Sequence, residues 1–171
     1  ILATGFARRG GNFAEPNVLS NVTGTNSDPD LVAAINATNT LYNAVALEFD
    51  FVPASTQMKF NYIFASEEYT GGFPCSGYED AFALLLKPNI AGSTYTNLAV
   101  LPGGAGPVTA TNIVPASFTC GPINAQYFGS LPPNQTNYYG RTVPLEAIAS
   151  VTPGQSYHIK MVLADARDSA Y

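Results

Sequence analysis

Four carboxylates, Glu67, Glu68, Glu79 and Asp80, fall within FASEEYTGGFPCSGYED, residues 64–80, in a chain whose charged residues make up only 11%. Side chains of one sign this close repel one another and raise each other's pKa unless a cation or hydrogen-bond donors hold them. Asp165 and Asp168 follow in LADARD, whereas between Ala81 and Ala164 Glu146 is the one acid. These acids sit at strand ends, and the loops of a sandwich collect at its two rims, where FASEEY, YED and LADARD can converge. Hard oxygen ligands from loops are what Ca²⁺ selects, taking 6 to 8 oxygens at roughly 2.3–2.6 Å. Glu67, Glu68, Asp80, Asp165 and Asp168 are therefore the candidate metal ligands, with calcium as the expected cofactor. The competing reading makes them solvated charges, or partners of Arg141 and Arg167, as surface charges commonly are.

Paired acids also raise glycoside hydrolysis, which needs two carboxyls about 5–10 Å apart. Adjacent Glu67 and Glu68 point to opposite faces of a strand and make a poor pair. No nucleophile elbow, phosphate loop or HExxH occurs, and the single histidine, His158, lies mid-strand beside Lys160 rather than in a loop with an acid. The chain is not expected to be an enzyme. Tyr138, Tyr139 and Phe73 are candidate ligand contacts, which gives the alternative function of a calcium-dependent carbohydrate-binding module. Packing over a sheet edge is the plainer role for such aromatics.

Strand patterns must position these residues. Val45, Leu47, Phe49 and Phe51 alternate with Ala46, Glu48 and Asp50, as do Met58, Phe60, Tyr62 and Phe64 with Lys59, Asn61 and Ile63 after the VPAST turn, which reads as two half-buried, neighbouring strands. AFALLLK, residues 81–87, is apolar throughout, as a central strand covered on both faces would be. NLAVLP and PVTATNIV read as shorter strands around GGAG, and residues 115–139 as an irregular segment that is functional or pinned by Cys120. TVPLEAIASV and SYHIKMVLAD return to a period of two. DPDLVAAIN, residues 28–36, carries a helix start: Ser27 or Asp28 able to cap, Pro29 in the first turn, and Asp30 near the positive end of the dipole. At least six strands and one short helix near 28–36 indicate an all-β, antiparallel, jelly-roll-like β-sandwich in a single domain spanning 1–171.

Composition bounds the setting. Charge is under half the roughly 25% of an average soluble domain, while Gly 15, Pro 13, Tyr 10 and Phe 10 are generous, a balance suited to a secreted or cell-surface protein. The net charge of −5, with no basic cluster beyond Arg8-Arg9, lacks the electrostatic footprint of nucleic-acid binding. No apolar run is long enough for a membrane-spanning helix. Cys75 and Cys120 both lie in turn-rich stretches, which favours a disulfide over two free thiols. Asn21, Asn36 and Asn134 each begin a sequon and are possible glycosylation sites.

The order DPDL, ALEFDFVP, FNYIFASEEY, Cys75, YEDAFALLL and TPGQSYHIKMVLADARDSAY resembles the choice-of-anchor L domain of bacterial secreted and cell-surface proteins. The resemblance covers nearly the whole chain and implies an address and an architecture more than a reaction. Where family members usually carry Asn-Asp before the central strand, this chain has Glu79-Asp80, which keeps Asp80 as a candidate ligand and departs at Glu79. The expected function is a non-catalytic extracellular module, adhesive or structural, whose partners are other surface proteins, glycans or neighbouring copies of itself. The chain opens in apolar ILATGFA and stops at ARDSAY, which reads as an excerpt of a larger exported protein. An edge strand near residues 1–7 or 157–164, completed by its own flanking sequence or by a neighbouring subunit, would in the latter case build a surface filament.

Overall fold

The computed structural model describes residues 1–5, 26–129 and 136–167. Expectations placed on Arg8, Arg9, Asn21, Asn134 and Asp168 lie outside these residues.

Helix α1, Pro29–Ile35, forms where its local signals lie. The Asp28 carboxylate accepts hydrogen bonds from the backbone N–H groups of Asp30 and Leu31, both at 3.0 Å, satisfying donors that a first turn otherwise leaves unpaired. Asn36 ends the helix in the left-handed conformation, which Asn tolerates better than most residues. Leu31 and Ile35, one helical turn apart, are the buried pair.

The helix lies on a sheet built from β1 (Leu41–Phe51), β4 (Ala81–Pro88) and β10 (Tyr157–Ala166), antiparallel in the order β1-β10-β4. Two short strands, β5 (Thr96–Asn97) and β6 (Val108–Thr109), occupy the other edge of β4. The second layer pairs β2 (Gln57–Tyr62) with β9 (Leu145–Ser150). A small sheet of β3 (Ala65–Ser66), β8 (Gly140–Thr142) and β7 (Phe128–Gly129) follows on in the chain. The result is a mostly β fold of packed antiparallel sheets with one short helix, consistent with the sandwich read from the sequence.

Both faces of the central sheet are covered. Ala81, Ala83 and Leu85 with Val162 and Ala164 pack against Leu31 and Ile35. Their alternates Leu84, Leu86, Tyr157 and Ile159 pack toward Ala147 and Val151, flanked by Met58 and Phe60. That double burial is why AFALLLK carries no period-two polarity, each buried leucine contributing about 1.5–3 kcal/mol. A third cluster, Phe64, Tyr69, Leu101, Val108, Ile113 and Leu145, closes the end where β3 and β8 lie.

Several expectations are corrected. β1 and β2 are not neighbours: the turn over residues 52–56 carries the chain from one layer to the other, so β1 pairs with β10 and β2 with β9. Leu47 and Phe49 are 52% and 41% exposed, so this stretch of β1 is less covered than its alternation suggests. Residues 157–164 are no edge, since β10 is bonded on both sides, and residues 1–5 form no strand. NLAVLP and PVTATNIV contribute only β5, β6 and two isolated bridges, Val100 with Pro107 and Val114 with Ile123. Among the described residues no helix is long and apolar enough to cross a membrane.

Candidate functional site

Strand register sets two of the acids side by side. β4 and β10 pair out to Ala81 opposite Ala164, so Asp80 and Asp165 are the next residues outward on neighbouring strands. Ser66, at the end of β3, joins a third segment to them: its hydroxyl donates to Asp80 Oδ2 at 2.5 Å and accepts from the Glu68 backbone N–H at 2.9 Å. Asn43 completes the set. It sits with φ of 53° where the β1–β10 register shifts between Tyr42 and Val45, and from this bulge its amide donates to Asp165 Oδ2 at 2.8 Å. Glu67, Glu68, Asp80 and Asp165 are 4%, 2%, 8% and 3% exposed, so the cluster lies under the surface rather than on it.

The surroundings are aromatic. Burial, with the charge of Asp80 in second place, pushes the Tyr69 hydroxyl well above its usual pKa; burial, then Glu67 and Asp80, does the same to Tyr138. The Tyr69 ring lies on the backbone of Gly140, where an added Cβ would stand 2.5–2.7 Å from ring and Cβ atoms. The Cys75–Cys120 disulfide forms, with Cα atoms 5.5 Å apart, tying the loop between β3 and β4 to the irregular segment.

The remaining sequence candidates are placed as follows. Glu79 accepts from the Thr111 hydroxyl at 2.8 Å. Arg167 directs its guanidinium to the Ser76 carbonyl and over the Tyr78 ring, 4.9 Å from its centroid, and Arg141 donates to the Thr142 carbonyl. Phe73 packs edge-on against Tyr78, whereas Tyr139 is 59% exposed. Asn36 is exposed at the end of α1. Among the described residues no three or more His, Cys, Asp or Glu side chains form a group that could hold a metal ion. The oxygens that Ser66 and Asn43 add to the cluster escape sequence reasoning, because neither residue carries a spacing signal.

A second polar constellation lies under α1. The Lys160 ammonium reaches Asp28 at 2.6 Å, Asp30 at 2.8 Å and Glu48 at 3.7 Å. Burial alone would lower its pKa, but hydrogen bonds to Asp28 and Asp30 outweigh that and hold it above the ordinary lysine value. His158, mid-strand on β10, lies between Asp50 at 2.6 Å and Glu48 at 3.1 Å. Its hydrogen bond, followed by that of Asn89, lowers the Asp50 pKa.

The family model of the choice-of-anchor L domain matches residues 1–171, and the chain belongs to that family. No curated protein and no solved structure matches it.

Proposed function

From that membership, we propose that the chain is a non-catalytic extracellular module of a surface-anchored protein, in which the buried acidic cluster is a structural device that takes up calcium. The domain name implies surface anchoring, and the Cys75–Cys120 disulfide fits an oxidising, extracellular setting. The observation that carries the reading is the burial of Glu67, Glu68, Asp80 and Asp165 beside Ser66 and Asn43. Carboxylates that cleave a glycoside must meet the substrate, and acids at most 8% exposed are poorly placed for that. Because these side chains do not make a group of three or more that could hold a metal ion among the described residues, calcium would be taken up by one or two of the carboxylates together with hydroxyl, amide, carbonyl or water oxygens, the hard donors it selects.

The test is thermal melting in calcium and in chelator. Calcium is expected to raise the melting temperature of the native protein, and Glu68→Gln to lower it more in calcium than in chelator. No calcium response in the native protein, or equal losses for the variant in both buffers, removes the metal role. Turnover above background in a screen of glycosides and esters would overturn the non-catalytic reading.

A further inference from the structure

The single histidine of the chain belongs to a row of charges that crosses the central sheet. On β10, His158 stands opposite Asp50 of β1 on one side and Lys87 of β4 on the other. Two residues further along, Lys160 stands opposite Glu48 of β1. Successive even positions of β10 face the helix, and there the Lys160 ammonium meets Asp28 and Asp30 of α1. Tyr95, from the loop after β4, sets its ring 6.1 Å from the imidazole and takes the Lys87 ammonium over its face at 4.2 Å.

His158 meets a carboxylate at each ring nitrogen: Nδ1 lies 2.6 Å from Asp50 Oδ1, and Nε2 lies 3.1 Å from Glu48 Oε2. An ionised carboxylate only accepts hydrogen bonds, whereas a neutral imidazole donates from one nitrogen and presents a lone pair at the other. With a neutral ring, one of the two contacts therefore sets a lone pair against an anion. The imidazolium, which donates from both nitrogens, satisfies both carboxylates at once. Asp50 and Glu48 favour that charged ring, and Lys87 on the neighbouring strand opposes it.

Of the two acids, Glu48 has somewhere else to go. While its Oε2 faces His158, its Oε1 stands 3.7 Å from Lys160 Nζ, just outside hydrogen-bond reach. Its side chain is 44% exposed, so little packing resists a turn of the carboxylate. Asp50 holds the shorter contact and has no second cation beside it among the described residues.

We propose that Glu48 is the moving part of a pH-sensitive switch, bonded to His158 while the ring is charged and turned to Lys160 once the ring is neutral. As pH rises the Nε2 proton leaves to water, Nδ1–H stays on Asp50, and the bared Nε2 lone pair repels Glu48. The carboxylate then closes on an ammonium that Asp28 and Asp30 keep charged throughout. A proton lost at the partly exposed face of β10 is thereby felt at the buried charge that meets α1.

NMR of the full chain across about pH 5 to 8, the interval in which histidine changes charge, tests this. One histidine means one set of ring signals. At the acid end both ring N–H signals are expected to be protected from exchange, with a cross-peak between the Glu48 γ protons and the His158 ring. At the alkaline end the Nε2–H signal should be lost, Nδ1–H should remain, and the Glu48 cross-peak should pass to the Lys160 ε protons. His158→Gln, neutral at every pH, should leave the Glu48 contacts independent of pH while keeping the native amide spectrum. Glu48→Gln should abolish the pH-dependent step in the Lys160 signals. Glu48 contacts that are the same at both ends, a proton retained on Nε2 in place of Nδ1, or a change of partner that persists in His158→Gln would overturn the switch.

Discussion

Lys160 neighbours Ile159 and Met161 on β10, so a period of two assigns it to a polar, solvated face with His158. The helix covers that face, and the ammonium ends among carboxylates with only 7% of the side chain exposed. Removing one partner of a buried pair costs about 3–5 kcal/mol. Because the Asp30 side chain is 39% exposed, water takes up part of that loss, and Lys160→Met is expected to cost about 2 kcal/mol. Urea unfolding reads this directly, and an unchanged midpoint would mean that Lys160 does not hold α1 in place. Gly140→Ala tests the other side of the molecule. Its new Cβ would meet the Tyr69 side chain at 2.5–2.7 Å, so the ring must move, at a cost of about 1–3 kcal/mol. A cap at Ser27 or Asp28 was legible in the sequence because a cap is local, and Asp28 supplies it. The Lys160 contact was not, since its partner Asp30 stands 130 residues away and no short-range pattern records it. The acids lay between these cases: their gathering at strand ends hinted at a shared rim, while the structure buries Glu67, Glu68, Asp80 and Asp165 and sets Asp80 beside Asp165 without a group of three or more that could hold a metal ion among the described residues.

Elements were legible where their own periodicity decides them, and obscure where pairing does. α1 and the central β4 sit where caps and a continuous apolar run placed them. The pairing of β1 with β10 rather than β2 depends on whether a five-residue turn doubles back within a layer or crosses between layers, and VPAST carries no glycine to signal either course. The disulfide is an element-scale device of the same non-local kind. It bridges a sequence separation of 45 and joins two turn-rich segments that contribute few strand hydrogen bonds of their own. In the chain-entropy model a loop of this length stabilises by about 4 kcal/mol. Replacing Cys75 and Cys120 together by Ser is therefore expected to lower the unfolding free energy by about 3–4 kcal/mol. Reductant should shift the native protein by the same amount and leave the double variant unchanged. A reductant response in the double variant would show that the effect does not come from this bridge.

At the scale of the whole molecule, the net charge of −5 hides an uneven distribution, with acids gathered in the buried cluster and beneath α1 while tyrosines are spread through the core. This arrangement makes stability sensitive to alkali. Burial pushes the Tyr62 hydroxyl up to about 12, and burial is also the first cause raising Tyr69 and Tyr138. Lys160 is raised as well, by Asp28 and Asp30 against the opposing effect of burial. In the unfolded chain tyrosine and lysine release their protons near about pH 10. Above that point the folded state holds more protons than the unfolded state, so the unfolding free energy must fall as pH rises. The stabilisation is fully present below about pH 10 and is lost progressively as pH climbs through the folded values, toward about 12 for Tyr62. Urea midpoints are accordingly expected to change little from these groups up to about pH 9 and to decline between about pH 10 and pH 11. Tyrosinate absorbance should lag that of the unfolded chain until the fold is lost. Tyr62→Phe, which removes one titrating hydroxyl while keeping the ring against Phe82, should flatten the decline. A midpoint that holds steady to pH 11 would show that these hydroxyls and the Lys160 ammonium ionise as easily in the folded protein as outside it.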